Sequence, residues 1–188
     1  MEPKGRSRRE TFKSVIVTPD VPNLGPKPRP GRLPSAELNQ KLERFIAETT
    51  LPIQLHPVVR CAALLWHDYL DESHAISQQL DSSDGGFLHG IMHRREPDYA
   101  NAKYWFHRVG KHPSYPNIAD GVARLLENHS DRSLLATLAP SGRWDPIGFV
   151  NACETAAQHS PTEITAQTLR SIQEIEFNAL LAHIFRGS

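Results

Sequence analysis

From Ser35 onward the apolar residues return every three or four positions, and proline, glycine and capping residues interrupt that rhythm at short intervals. A period of about 3.6 residues places apolar side chains on one face of a helix, whereas a half-buried strand needs strict alternation. The pattern therefore predicts an all-α fold. Ser35 suits a helix start, with Leu38, Leu42, Phe45 and Ile46 on one face. Pro57 fits a first helical turn, and Val58, Cys61, Ala62, Leu65 and Tyr69 mark a long second helix over 58–79. The turn residues of "DSSDGG" close it. A third helix is expected over 87–95, stopped by Pro97, because the residue before a proline disfavours the helical region. Asp98 caps a fourth over 99–109, and Gly110 closes it. Two short helices follow at 117–128 and 131–138. Asp145-Pro146 opens another, and the capping box Ser160-Pro161-Thr162-Glu163 opens the last, with Ile164, Thr168, Ile172, Ile175, Ala179 and Ala182 aligned. The expectation is seven to eight helices in one compact array, without an internal repeat.

Residues 1–34 read differently. Seven of the fifteen prolines fall there, and eight basic residues (Lys4, Arg6, Arg8, Arg9, Lys13, Lys27, Arg29, Arg32) face three acidic ones. Proline lacks the N–H that a helix needs, so "TPDVPNLGPKPRPGRLP" is not helical. This segment is expected to be a flexible or extended basic arm, with only Ser14 to Val17 apolar enough to lie against the body. Residues 35–188 are then a single α-helical domain, a length sufficient for one ordinary core. The formal net charge is zero, so no molecule-wide field favours nucleic acid, and the body outside the arm is mildly acidic. Contact with RNA through the arm is the weakest of the functional expectations. Cys61 and Cys153 sit in apolar helical patterns and read as buried free thiols. No apolar run has the length of a membrane span and no signal peptide is evident, so a cytoplasmic protein is expected.

The chemistry-bearing residues concentrate between Trp66 and Pro113. In "WHDYLDESHAISQ", His67, Asp71, His74 and Gln78 are spaced four, three and four apart, which on one helix forms a stripe. His89 and His93 stand at i, i+4 on the next helix, a spacing that brings two ring nitrogens to one ion. If the two helices pack antiparallel, His67, His89 and His93 with Asp71 or His74 make a nitrogen and oxygen ligand set suited to a divalent zinc, iron or manganese ion. Three readings stand open: a metal site, a histidine-lined pocket acting without metal, and structural imidazoles. Arg94, Arg95 and Lys103 could orient a small anionic ligand, or Arg95 and Glu96 could serve in ion pairs near a helix end. Tyr104, Trp105 and Phe106 are adjacent, so at least one points away from the core face of its helix. "HGIMH" has Gly90 where a zinc protease needs its glutamate, no second Glu-x-x-His partner exists for a di-iron centre, and there is no CxxC, phosphate-cradling glycine loop or Gly-x-Ser-x-Gly.

Three resemblances accompany these residues. "AALLWHDYLD", with His67-Asp68 as a doublet, resembles the His-Asp helix of HD-domain phosphohydrolases over about ten residues. "EPDYANAKYWFHRVG" looks like the second half of a tetratricopeptide or Sel1-type repeat, which implies a helix hairpin able to hold a protein partner. "LLWHDYLDESHAISQ", "GFLHGIMHRREPDYANAKYWFHRVGKHP", "WDPIGFVNACE" and "LRSIQEIEFNALLAH" together resemble a family of uncharacterised all-helical proteins over most of residues 60–185. That likeness implies one integral domain and brings no catalytic residue with it. Two functions follow as expectations. The first is a small all-α enzyme, hydrolase-like, in which His67, His89 and His93 are ligands or acid–base groups, Asp71 and His74 complete or support them, and Arg94 orients a polar or anionic substrate. The alternative is a non-enzymatic helical binding module using its helices or arm.

Overall fold

The computed structural model describes residues 7–127, 132–159 and 163–186, and within them every regular element is helical. In chain order these are α1 (Arg8–Ile16), α2 (Ser35–Glu48), a 3-10 turn (Ile53–Leu55), α3 (His56–Trp66), α4 (Leu70–Ser77), α5 (Ser83–Arg95), α6 (Tyr99–Val109), α7 (Tyr115–Leu126), α8 (Arg132–Leu138), a second 3-10 turn (Pro140–Gly142), α9 (Pro146–His159) and α10 (Glu163–Ile184). The ten α-helices exceed the seven or eight expected. Ser35 is the first residue of α2 rather than its cap. The 160–162 part of the capping box before α10 lies outside the described residues. No described helix is long and apolar enough to cross a membrane.

Three departures from the sequence reading have physical causes. First, the arm contains a helix. Ser7 accepts from the Glu10 N–H and the Glu10 carboxylate accepts from the Ser7 N–H, so a capping box starts α1 ahead of the proline-rich stretch. Its Phe12 is fully buried against Phe45 and Phe185, ring centroids 5.4 and 5.3 Å away. Ser14 to Ile16 are therefore helical rather than extended. Second, the long second helix breaks at Asp68, whose φ of +62° is left-handed, so α3 and α4 are separate rods. Aspartate tolerates that region better than most residues, and its carboxylate is held there by two arginines described below. Third, α5 begins at Ser83, inside "DSSDGG". The Ser82 hydroxyl accepts from the Gly85 N–H at 3.1 Å, and a Cβ at Gly85 would stand 2.3 Å from the Leu80 Cβ. The glycine there permits a close approach of chain to chain.

Residues 17–34 form an irregular strap across the body. A proline-rich chain offers few N–H donors but keeps all its carbonyls, and the body supplies the matching donors. Arg170 donates to the Val21 oxygen at 2.7 Å, Gln173 to Pro22 and Asn23 at 3.1 and 3.2 Å, Arg95 to Asn23 at 3.0 Å, and the Tyr69 hydroxyl to Leu33 at 2.8 Å. Trp66 donates its indole N–H to the Thr18 hydroxyl at 3.0 Å.

The core is one continuous apolar cluster, and α5 runs through its middle. Every residue from Gly85 to Arg95 is buried. Gly90 lets the Phe106 ring of α6 approach to 3.0 Å of where a Cβ would stand, and Gly86 does the same for Val109 at 3.1 Å. Gly148 of α9 is tighter in kind, because its would-be Cβ meets the backbone oxygen of Thr137 at 2.7 Å. A backbone atom cannot rotate aside, so Gly148→Ala is expected to destabilise the protein by roughly 1–3 kcal/mol in urea unfolding. An unchanged midpoint would show that α8 and α9 can separate without loss.

Candidate metal centre

A helix buried on all sides must satisfy its polar side chains from within the protein. Helix α5 carries four buried ones: His89, His93, Arg94 and Arg95. The two arginines have their terminal nitrogens paired, and only the Nε of Arg94 lacks a partner among the described residues. Arg94 donates to both carboxylate oxygens of Glu176 on α10, at 3.1 and 2.6 Å, and to Gln173 at 3.4 Å. Arg95 donates to Asp68 at 2.6 Å, to the Leu65 carbonyl at 2.6 Å and to Asn23. The histidines are less well paired. Neither ring nitrogen of His89 has a hydrogen-bond partner among the described residues, and neither does Nδ1 of His93.

Those rings converge with that of His74, one turn from the end of α4. One nitrogen from each of His74, His89 and His93 lies within 4.8 Å of the other two. Ring centroids are 4.7 Å apart for His89–His93, 4.9 Å for His74–His89 and 5.0 Å for His74–His93. A tetrahedral ion with nitrogens at ~2.1 Å separates them by roughly 3.4 Å, a closure that small side-chain rotations supply. Trp105 of α6 stacks on His89 at 4.0 Å and walls the cluster on one side. Arg108 sits over the Trp105 ring at 4.9 Å. On the other side, His93 Nδ1 stands 3.5 Å from Glu96 and 3.9 Å from Asp98, while Asp98 also caps α6 by accepting from the Asn101 N–H at 3.2 Å. Glu96 also lines a hollow of about 400 Å3 with Asp71 and Arg32.

The electrostatics suit ligation. Burial pushes the His89 pKa down to about 4, helped by the neighbouring His93, His74 and Arg108. Burial and His74 also lower His93. Both imidazoles are thus neutral near pH 7, the form that binds a metal.

The structure does not bring the other expected residues to this cluster. His67 ends α3 on the far side of the Asp68 turn. It is fully buried, and its Nδ1 accepts the Leu33 N–H of the strap at 3.2 Å. The helix break turns it away from His74, so the four-residue stripe His67–Asp71–His74–Gln78 does not exist. Asp71 is exposed and outside the ligand group. Arg94 is locked in its ion pair with zero exposure, so it cannot orient a substrate. Lys103 pairs with Glu154 at 2.7 Å. Of the adjacent aromatics, Phe106 is core, Trp105 meets His89, and Tyr104 is 53% exposed. Glu96 and Asp98 were not singled out for this site from sequence, whereas Trp105 belongs to the aromatic run expected to send one ring onto a neighbouring helix or into a pocket wall. The only signal for the two acids was their closeness in the chain to His93.

A second group, Asp84, His112 and His183, also gathers three possible ligand atoms. The hydrogen bonds of His112 give that ring another role. The Ser114 backbone N–H donates to His112 Nδ1 at 3.2 Å, which leaves the ring proton on Nε2, and that N–H donates to Asp84 at 3.1 Å. Both nitrogens of His112 are occupied, so the ring ties α5 to the turn before α7, while His183 of α10 stands 3.7 Å from Asp84.

Buried His67 also makes stability depend on pH. Burial first, then the nearby Arg29, lowers its pKa to about 4. The unfolded chain takes up that proton near pH 6.5 and the folded one does not, so stability is complete above about pH 6.5 and falls as the pH drops toward 4. By pH 5 the loss from this residue is about 2 kcal/mol. The difference in urea midpoint between pH 7 and pH 5 should therefore shrink in His67→Gln. An equal difference would mean that the ring is protonated in the folded state.

Comparison of the chain with family models, with characterised proteins and with solved structures finds no match.

Proposed function

We propose that His74, His89 and His93 hold a divalent transition metal, with zinc the best fit to three imidazoles, and that the centre serves a hydrolase-like reaction on a small polar substrate. The observation that carries this reading is that buried His89 and His93 have ring nitrogens without partners among the described residues, and that one nitrogen of each lies within 4.8 Å of one of His74. Leaving a buried polar atom unpaired costs about 1–3 kcal/mol, and a metal ion would give His89 and His93 the partner they lack, with His74 as the third ligand. Bound there, the metal would act as a Lewis acid. Glu96 would take a proton from an attacking water, since burial raises its pKa from the ordinary value and it touches both His93 and the adjoining hollow. Asp71, Glu72 and Glu96 around that hollow favour a neutral or cationic substrate over an anionic one.

Zinc and cobalt(II) titrations of purified protein test the centre. One equivalent is expected to bind, with tetrahedral cobalt absorption bands. His89→Ala and His93→Ala should each weaken binding by about a hundredfold, while His67→Gln leaves it unchanged. Stoichiometric binding that survives both alanine variants would overturn the assignment. The hydrolytic reading is checked separately with p-nitrophenyl acetate. Glu96→Gln should retain zinc and lose turnover, and equal turnover would remove Glu96 as the base.

A further inference from the structure

A second place in the molecule is built to hold a ligand, and it shares no lining residue with the three histidines. A cavity of about 600 Å3 opens between α6, α7, the second 3-10 turn and the start of α9. Phe106, Tyr115 and Trp144 supply aromatic walls, and His112 adds a ring fixed by the Ser114 and Asp84 bonds described above. The rim carries Lys111 and Arg143, both exposed, and neither forms an ion pair among the described residues. One carboxylate lines the cavity, that of Asp145, and it is engaged by the α9 terminus through the Ile147 N–H at 3.0 Å.

Two of the lining residues also carry a donor that is closed off behind the wall. The indole N–H of Trp144, a residue 5% exposed, and the hydroxyl of Tyr115 are both buried without an acceptor among the described residues. Burial first, then the carboxylates of Glu176 and Asp145, keeps the Tyr115 phenol protonated, so it remains a donor. An indole N–H can only donate. Aromatic walls and uncompensated rim cations together describe the complement of a flat molecule bearing a negative charge.

We propose that this cavity binds a small organic anion with a flat apolar body, of the aryl carboxylate class, its ring between Phe106, Tyr115 and Trp144 and its carboxylate toward Lys111 and Arg143. The proposal does not depend on the metal centre. It is tested by titrating the whole protein with naphthoate and following the indole N–H resonances by NMR, with the Trp144 signal assigned through Trp144→Phe. A saturable shift of that signal is expected, while the Trp66 indole, already bonded to Thr18, stays in place. The double variant Lys111→Ala/Arg143→Ala alters exposed side chains, and its circular dichroism should be unchanged. It should bind naphthoate about tenfold more weakly, and uncharged naphthalenemethanol should show a similar deficit on the native protein. No saturable shift of the Trp144 signal overturns the site. Equal binding of naphthalenemethanol, or of naphthoate by the double variant, overturns its preference for an anion.

Discussion

Glu176→Ala is expected to destabilise the protein by about 3–5 kcal/mol, among the largest losses from a single substitution. Arg94 and Glu176 both have no side-chain exposure, and the guanidinium meets the carboxylate through two nitrogens. Burial pushes the Glu176 carboxyl up, and Arg94 opposes that shift. Removing the carboxylate strands a positive charge between the Phe149 ring, 4.3 Å from it, and Phe106, with Gln173 its remaining polar contact. The pair itself need not be strongly stabilising, since desolvation offsets much of its attraction. Replacing both members, as in Arg94→Met/Glu176→Leu, should therefore recover most of the loss. Urea unfolding of the two single variants and the double one measures the coupling. A double variant as unstable as Glu176→Ala would contradict the argument and assign a shape-specific role to the ion pair.

The second large effect concerns Asp68. Its carboxylate accepts from Arg95 at 2.6 Å, and from both the side chain and the backbone N–H of Arg29 at 3.1 Å. Burial favours the protonated acid, yet Arg95 and Arg29 outweigh it and hold the pKa below the usual carboxylate value. Asp68→Ala leaves two buried guanidinium groups short of their anion and places alanine at a φ of +62°. We expect a loss of about 3–5 kcal/mol. A more specific consequence is release of the strap, because Arg29 is a main anchor of 17–34. Limited proteolysis should cut the variant within 17–34 before the rest of the chain. Uniform cleavage throughout would show that Asp68 supports the core without holding the strap. Asp68→Asn, which keeps the shape, one acceptor oxygen and a residue type that tolerates a positive φ, should be milder in both measurements.

The helical class was legible because its signals are local. Asp98 and Gly110 bracket α6 as read, and the apolar period of α2 buries Leu38, Leu42, Phe45 and Ile46. The break at Asp68 was not legible. Nothing near "WHDYL" stops a helix, and the left-handed turn is held by Arg29 and Arg95, which lie 39 and 27 residues away in the chain. The same long-range cause decided the candidate site. His89 and His93 share a face because their spacing lies within one helix. His74 joins them through packing of α4 against α5. His67 was drawn into the same stripe only by assuming a helix that does not continue. Arg94 read as a ligand-binding cation because its partner, Glu176, is 82 residues further on. The capping box of α1 was visible in Ser7-Arg8-Arg9-Glu10 and was hidden by the prolines beyond it.

The strap and α1 have a consequence for the order in which this chain is made. Phe12 needs Phe185, and Val21 and Pro22 need Arg170 and Gln173, across gaps of 149 and 151 residues in the hydrogen-bonded pairs. A chain emerging from the ribosome exposes its amino-terminal segment long before α10 exists to receive it. That segment must wait, and prolines are suited to the delay, since they resist both premature helix and strand pairing. Helix α1 and the strap, translated well before α10, are thus among the last parts to be fastened.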